Sequence, residues 1–469
     1  MSRFILPLSL CFLSQLAIAD DALLDAKSLS KAAELRDSAL QKNDAYILLE
    51  SLTTEIGPRM AGSSANAKAV AWAQEKFKAL GYDKVYLQPV TYPVWQRGHE
   101  QAEVLSPFPQ KLHITALGGS VGTDGKTLDA EVVEFESLDT LKAAPENSLN
   151  GKIAFINKRM ERHKDGSGYG PVVAGRGAGA IEAAKKGALA VVIRSVGTDS
   201  NRLPHTGMMR YSDDVKKIPA AALSVPDADL LEHMLKRGKP VNLRLDIAAG
   251  FTGTYTSYNV IGEIRGREKP DDVVVIGGHL DSWDLGTGAV DDGAGVSITM
   301  AAGAVIGQMK QAPRRTIRVV AFANEEQGLY GGKAYAEAHK DTVVKHQIGA
   351  ESDFGAGRIY SLGSNVDDAG WKVMEQIGTV LAPLGITLDR NNGGSGPDIG
   401  PSAENGMPWA ELQQDGTDYF DLHHTANDTF DKVDPKALDQ QVAAYAAFAY
   451  LAAESKMNFG TAPKVEEKK

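Results

Sequence analysis

The length of 469 residues allows one to three domains, and an apolar content of 43% with 23% charged residues is ordinary for a soluble globular protein. The formal net charge is -10 and no basic run stands out, which argues against a nucleic-acid partner. The composition fits a chain with a well-solvated surface.

The N-terminus has the pattern of a secretion signal. Arg3 supplies a positive charge, residues 4–16 are largely apolar, and Ala17-Ile18-Ala19 forms a cleavage site of the A-x-A type. The single cysteine, Cys11, lies inside this segment, so no disulfide is expected in the mature chain. No other stretch approaches the roughly 20 apolar residues of a membrane span. We therefore expect residues 1–19 to be removed and the protein to be exported, periplasmic or secreted, without membrane insertion.

Residues 20–94 combine helix and strand signals. Ser63-Ser64 can cap a helix that runs to Leu80, where Gly81 ends it. Lys84–Leu87 then has the pattern of a strand. A helix followed by a strand predicts the first part of an α/β domain.

The pattern changes near Trp95, and residues 95–248 are predicted to form an inserted domain. This block is β-rich with one helix, Gly179–Lys186, between the strands Lys152–Ile156 and Ala188–Ile193. Its histidines are scattered and form no cluster with metal-ligand spacing: His99, His113, His163, His205 and His233.

The α/β pattern resumes in residues 249–460. Alternating strands and helices predict a three-layer αβα arrangement around a mostly parallel sheet, and residues 461–469 are predicted to be a disordered tail. The predicted strands are Val273–Ile276, Thr316–Ala323 and Lys345–Ala350, and the predicted helices are Gly293–Lys310, Gln327–His339 and a long one that begins at Pro435.

Candidate chemical groups follow each of these three strands. His279 comes after the first, Glu325 and Glu326 come after the second, and Asp353 comes after the third. Ligands in open α/β sheets gather outside the carboxyl ends of the strands. Because three separate segments obey this rule, we expect these side chains to share one site.

The run that begins at His279 suggests individual roles. His279 would bind metal through a ring nitrogen, and Asp281 would hold its ring in one tautomer. Asp291 follows a glycine-rich loop at the start of a helix, where its two oxygens could bridge two metal ions. Its neighbour Asp292 could cap that helix instead.

Two pairs of adjacent residues leave a choice open. Of Glu325 and Glu326, one can bind metal while the other faces the substrate water, and of His423 and His424 one ligand is enough. Two zinc ions that share a carboxylate need a set of imidazoles and carboxylates of this kind, and two-metal peptide hydrolysis also needs a spare glutamate as base. The set therefore predicts a zinc-dependent peptidase that acts on a peptide substrate.

The motifs HLDS…DD, NEE, ESD and HHT resemble those of metallopeptidase family twenty-eight, the co-catalytic zinc exopeptidases. The resemblance spans most of the mature chain, and within the family the motif Pro204–Gly207 with Ile218-Pro219 resembles the carboxypeptidase Q-like branch. It implies that residues 95–248 are a protease-associated-like domain. It also implies a possible homodimer.

By position, the resemblance implies a division of roles. Two zinc ions would be held by five residues of this chain, with Asp291 as the bridging ligand: His279, Asp291, Glu326, Asp353 and His424. Glu325 would be the general base. His423 occupies the place where many relatives have an oxyanion-stabilising tyrosine, so His423 is the candidate for that role.

Several activities fit this scaffold. An aminopeptidase or dipeptidase is the leading interpretation and a carboxypeptidase the second. They differ in whether the pocket ends in carboxylates for an ammonium group or in an arginine for a carboxylate, and the sequence does not place those groups. A non-catalytic receptor-like relative and a single-zinc glutaminyl cyclase are disfavoured because all five ligands are present.

Overall fold

The computed structural model describes residues 23–390 and 392–462, so the predicted signal segment and most of the predicted tail lie outside the described residues. The helices are α1 Ala26–Gln41, α2 Ala45–Ser51, α3 Ser64–Ala79, α4 Leu138–Lys142, α5 Gly170–Lys185, α6 Val225–Leu235, α7 Ala294–Gly307, α8 Tyr330–His339, α9 Asp368–Leu381, α10 Gly400–Glu404 and α11 Pro435–Glu454. The strands are β1 Lys84–Ser106, β2 Gln110–Leu112, β3 Ile114–Ala116, β4 Leu128–Phe135, β5 Lys152–Ile156, β6 Ala190–Arg194, β7 Ala220–Leu223, β8 Asn242–Ile264, β9 Lys269–His279, β10 Arg315–Phe322, β11 His346–Glu351, β12 Ile359–Ser364, β13 Thr387–Leu388 and β14 Ala410–Gln414.

Most strands join one 11-stranded mixed sheet, whose main path runs β11-β9-β10-β8-β4-β5-β6-β7-β3. The prediction of a mostly parallel sheet is therefore wrong in part. Strands β9, β10 and β11 are parallel to one another as predicted, but β8 runs antiparallel to β1, β4 and β10. The local sequence of an apolar strand does not encode the direction of its neighbour, so the alternation of elements could not show this.

The parallel strands are buried on both faces. In β9, Val274 and Ile276 face the core that contains α7 and α11, while Val273 and Val275 pack on the opposite side with Tyr335 of α8. This arrangement gives helices on both faces of the sheet, as the three-layer prediction requires. The expectation that no stretch after the signal segment approaches a membrane span is corrected by Ala289–Gly307, which is long and apolar enough by length and composition. Of its apolar 18-residue window, 94% is buried inside the protein, as in the core helix of a globular domain.

A long antiparallel pair links the two halves of the sheet. Strands β1 and β8 pair from Lys84–Glu263 to Ser106–Asn242, so the predicted domain boundaries at Trp95 and Ala248 fall within paired strands. The apolar residues of 95–248 form two further cores, one of which also includes Trp283. This block contains three helices, α4, α5 and α6, rather than the single predicted one.

The predicted start of α3 is confirmed. Ser63 is the N-cap residue, and its side chain accepts a hydrogen bond from the backbone N–H of Asn66. The helix ends at Ala79, and Gly81 follows with φ of 82°. Only glycine adopts that conformation without strain, which explains why the chain turns there into β1.

Candidate metal centre

The carboxyl ends of β9, β10 and β11 carry the predicted ligands to one edge of the sheet. His279 is the last residue of β9, Glu325 and Glu326 follow β10, and Asp353 follows β11. Asn324, immediately before the two glutamates, has φ of 51°, and His424 has φ of 62°. A left-handed backbone at a residue other than glycine costs free energy and is concentrated at functional sites.

Asp291 lies between two histidines. Its Oδ1 is 3.1 Å from Nε2 of His279, and its Oδ2 is 3.3 Å from Nε2 of His424. Each carboxylate oxygen thus faces a different imidazole. This is the arrangement that a carboxylate bridging two metal ions requires.

Each histidine also has a carboxylate of its own. Asp353 Oδ1 is 3.4 Å from Nε2 of His279, and Glu326 Oε2 is 3.0 Å from Nε2 of His424. The five side chains therefore form two adjoining groups that share Asp291. The structure brings all five predicted ligands together.

The geometry distinguishes His424 from His423. Nδ1 of His424 is 3.2 Å from the backbone oxygen of Thr206, which fixes Nε2 as the free nitrogen that faces Asp291 and Glu326. A metal-binding histidine usually donates its other ring N–H in this way. Among the described residues, Nδ1 of His423 has no hydrogen-bond partner. His424 therefore has the environment of a ligand.

His423 stacks on His424, with ring centroids 3.5 Å apart, and lines the cavity beside the ligands. Burial holds the pKa of His423 well below its ordinary value. A neutral imidazole keeps one N–H to donate. This position and charge state are compatible with hydrogen bonding to a developing oxyanion.

Asp281 and Asp292 position the ligands in different ways. Nδ1 of His279 lies 3.1 Å from the backbone oxygen of Asp281 and 3.8 Å from its carboxylate, so the main chain rather than the predicted side chain fixes the tautomer. The Asp281 carboxylate instead accepts the backbone N–H of Glu325 at 3.0 Å. Asp292 accepts the backbone N–H of Gly295 in the first turn of α7 at 3.1 Å and that of His279 at 2.9 Å, although the N-cap residue of α7 is Gly293 rather than the predicted Asp292.

The two adjacent glutamates have different surroundings. Glu326 is buried against His424, whereas Glu325 is only half-buried and lines the cavity. Burial raises the pKa of Glu325 well above its ordinary value, and the nearby charges of Asp353 and Glu326 add to the effect. A raised pKa suits a carboxylate that must exchange a proton with substrate.

The donor set fits zinc. Imidazole nitrogens and carboxylate oxygens are zinc ligands, and three candidate ligand groups occur here: Asp291-His423-His424, His279-Asp292-Asp353 and His279-Asp291-Glu326. Within residues 23–390 and 392–462, the buried atoms Asp291 Oδ2 and Glu326 Oε1 have no hydrogen-bond partner. Buried carboxylate oxygens are costly unless they are paired or coordinate a metal.

Two residues that the sequence reasoning missed hold the loop that carries Asp291. The fully buried Arg59 donates to the backbone oxygens of Leu280, Thr287 and Gly288 at 2.6–2.9 Å. Asp428 accepts the N–H groups of Val290 and Asp291. For Arg59, the only indication in the sequence was its place in the IGPRMAGS segment. For Asp428 the sequence contained no indication, because it is a lone aspartate outside any motif.

The block 95–248 contributes directly to the site. Besides the Thr206 contact to His424, Nδ1 of His205 lies 2.7 Å from the backbone oxygen of His423, and Nε2 lies 2.7 Å from Asp199. His205 therefore holds the main chain of His423 in place. In the other direction, Trp283, which follows β9, joins the core of this block and packs edge to face on the ring of His424, with ring centroids 5.7 Å apart.

The ligands open into a cavity of about 270 Å³. One wall is apolar and aromatic, formed by Phe354, Tyr419 and Phe420. Another comes from the block 95–248 and includes Tyr169 and Arg176. Such a mixture of apolar walls and few polar groups is typical of a small-molecule site.

Comparison with known proteins agrees with this geometry. Residues 259–449, which contain all five ligands, match peptidase family M28. Carboxypeptidase Q of Mus musculus is 36% identical over 413 residues, which cover 88% of this chain and 86% of that protein. This match confirms the resemblance inferred from the motifs.

Solved structures show the same fold. The crystal structure of a peptidase M28 precursor from Shewanella amazonensis is 51% identical with a TM-score of 0.91, and the match covers 93% of this chain and 99% of that one. A zinc aminopeptidase from Bacillus subtilis has 22% identity and a TM-score of 0.66, covering 89% and 97% of the two chains. The chain therefore belongs to peptidase family M28 and is a metallo-exopeptidase.

Proposed function

We propose that the protein is an exported exopeptidase with two zinc ions that hydrolyses dipeptides or short peptides. The observation that carries the proposal is the position of Asp291, whose two oxygens face His279 and His424 at 3.1 and 3.3 Å. A site for one ion would need only one of these groups. The names of the relatives, carboxypeptidase and zinc aminopeptidase, support peptide-bond hydrolysis.

The ligand assignment follows the contacts. His279 and Asp353 would hold one ion, Glu326 and His424 the other, and Asp291 both. When bound, zinc supplies Lewis-acid polarisation of the substrate carbonyl and lowers the pKa of water toward neutral.

The remaining steps belong to side chains that line the cavity. Glu325 takes a proton from the attacking water and returns it to the leaving amine. His423, held neutral by burial, donates its N–H to the oxygen on which negative charge develops. Asp281 positions Glu325 through the hydrogen bond to its backbone N–H.

Two further parts of the proposal concern organisation. Residues 95–248 form a protease-associated-like domain inserted through β1 and β8, a view supported by the separate apolar cores of that block. The secretion pattern of residues 1–19 supports export to the periplasm or beyond. A homodimer remains an expectation from the family resemblance.

The experiment combines metal analysis with product analysis. We expect two zinc ions per chain, loss of hydrolysis on chelation and recovery when zinc is restored. Mass spectrometry of products from dipeptides and from longer peptides blocked at either end would identify the terminus attacked. Full activity of the metal-free protein, or one zinc ion per active chain, would contradict the two-ion proposal.

The same experiment separates the alternatives. A receptor-like protein would release no product from any peptide, and a single-zinc glutaminyl cyclase would contain one ion. A carboxypeptidase would release the C-terminal residue from peptides blocked at the N-terminus, whereas an aminopeptidase would leave those peptides intact.

A further inference from the structure

Arg176 is a buried arginine of α5 whose guanidinium lines the metal-site cavity. The residue is 8% exposed. Its Nη2 donates to the hydroxyl of Tyr169 at 2.6 Å, but Nε and Nη1 have no hydrogen-bond partner among the described residues. Two of the three guanidinium nitrogens are thus buried without a protein acceptor.

No described carboxylate forms an ion pair with Arg176. Other buried arginines of the chain are satisfied: Arg59 binds three backbone oxygens, and Arg194 pairs with Asp229 and Glu232. Burying a charge without a partner destabilises the folded chain, because the lost hydration is not replaced. Retaining such a group beside a cavity indicates that its acceptor arrives with a ligand.

The guanidinium lies close to the metal ligands. A Cβ placed on Gly207 would be 2.4 Å from Nη1 of Arg176 and 2.7 Å from Nδ1 of His424. Gly207 has φ of 131° and leaves the space that lets both groups approach. Arg176 therefore lies on the His424 side of the cavity, within reach of a ligand bound there.

We propose that Arg176 binds the free α-carboxylate of the substrate residue just beyond the scissile bond. This inference rests on the proposed peptide hydrolysis and deepens it, because it makes the preferred substrate a dipeptide or another peptide whose last residue is released as a free amino acid. An arginine is suited to a carboxylate because its planar donors match the two oxygens. The cavity of about 270 Å³ is small enough for such a substrate.

The test compares L-leucyl-L-leucine with its C-terminal amide, because the apolar walls accept leucine and the two compounds differ only in the charged group. For the unaltered protein we expect kcat/KM to favour the free acid on the order of 10- to 100-fold, as charge-assisted hydrogen bonds predict. Arg176→Gln should lose that preference by slowing hydrolysis of the acid alone. Arg176→Lys should restore part of it.

Binding gives a readout independent of turnover. In calorimetry with chelator-treated protein, Arg176→Gln should bind L-leucyl-L-leucine more weakly than the unaltered protein by a similar factor, while binding of the amide stays the same. Arg210→Gln is the matched control, since Arg210 is an exposed arginine that also packs beside α5 at Gly177. It should change neither ratio.

Three results would overturn the assignment. The first is an equal kcat/KM for acid and amide in the unaltered protein, and the second is an unchanged preference for the acid in Arg176→Gln. The third is an Arg176→Gln variant with normal zinc content that loses kcat/KM equally for both substrates. If the unaltered protein hydrolyses neither dipeptide, the proposed peptidase function fails. The calorimetric difference between acid and amide then still decides the role of Arg176.

Discussion

At the scale of single residues, the site depends on which way neighbouring side chains point. Glu325 and Glu326 are adjacent, yet Glu326 lies 3.0 Å from His424 while Glu325 faces the cavity. The left-handed backbone at Asn324 begins the turn that separates them. Two carboxylates of identical chemistry thereby have different surroundings.

Exchanging each glutamate for glutamine tests this division. Glu325→Gln should keep both zinc ions and lose turnover by about 10²–10⁴-fold, because only the base is removed. Glu326→Gln should lose zinc from the His424 side. Zinc per chain and kcat, measured on both variants, check the prediction, and the opposite pattern would reverse the two roles.

The sequence predicted the composition of this site better than its geometry. All five predicted ligands were found from strand ends and motifs, since parallel strands end at one edge. The choice of Glu326 and His424 came from the family resemblance, because side-chain direction depends on φ and ψ. Thr206 could not be found, since it acts through a backbone oxygen that any residue has.

At the scale of elements, a histidine pair links α8 to β11. His346 is 3% exposed, and its Nε2 lies 3.0 Å from the hydroxyl of Tyr335 in α8. Burial, followed by the charge of Arg318, lowers the pKa of His346 to about 3. The same causes lower the pKa of His339 to about 4. Both rings are therefore neutral in the folded protein near neutral pH.

This pair predicts a loss of stability in acid. An unfolded histidine has a pKa of about 6.5, so below that pH the unfolded chain binds protons that the folded chain does not. The contribution of His346 is complete above pH 6.5 and falls by up to about 1.4 kcal/mol per pH unit as the pH decreases toward 3. His346→Gln should flatten the dependence of the unfolding free energy on pH between 7 and 5.

Denaturant unfolding of chelator-treated protein at several pH values measures this slope and avoids differences in bound zinc. The control is His233→Gln, which replaces an exposed histidine on α6. An identical slope in the unaltered protein and in His346→Gln would contradict the prediction.

Elements of the block 95–248 were harder to predict than those of the sheet that carries the ligands. The strands β5 and β6 were found from their apolar runs, but α6 at Val225–Leu235 was missed although Ser224 caps it and Pro226 occupies its first turn. Arg176 also gave no signal, since α5 is otherwise rich in glycine and alanine. Its burial becomes visible only when α5 packs against the site.

At the scale of the whole molecule, the block 95–248 and the metal centre depend on each other. Thr206 and His205 of the block contact His424 and His423, and Arg176 lines the cavity. In the other direction, Trp283 packs into the core of the block. Trp283 and Trp95 pack edge to face with ring centroids 6.2 Å apart. A domain that is independent of the site would make none of these contacts.

Removal of residues 95–248 tests this dependence. In the β1–β8 register Val94 pairs with Gly253, so joining residue 94 to residue 249 leaves 249–252 as a short hairpin connection. The five predicted ligands stay on one continuous core. Because His424 loses the Thr206 oxygen, we expect zinc affinity on that side to fall by about 10–100-fold, as loss of a hydrogen-bond partner of a ligand usually causes.

The shortened chain should also lose its preference for a free C-terminal carboxylate, because Arg176 is absent. The shortened chain also carries Trp283→Ser, because removal of the block would otherwise expose the indole of Trp283. The same substitution is made alone in the full-length chain, so that its effect is measured separately. Circular dichroism must first show a folded protein, and zinc affinity and relative rates over a peptide panel are then compared. Unchanged zinc affinity with an unchanged order of substrates would show that the block acts only as a separate domain, despite its contacts to both histidines.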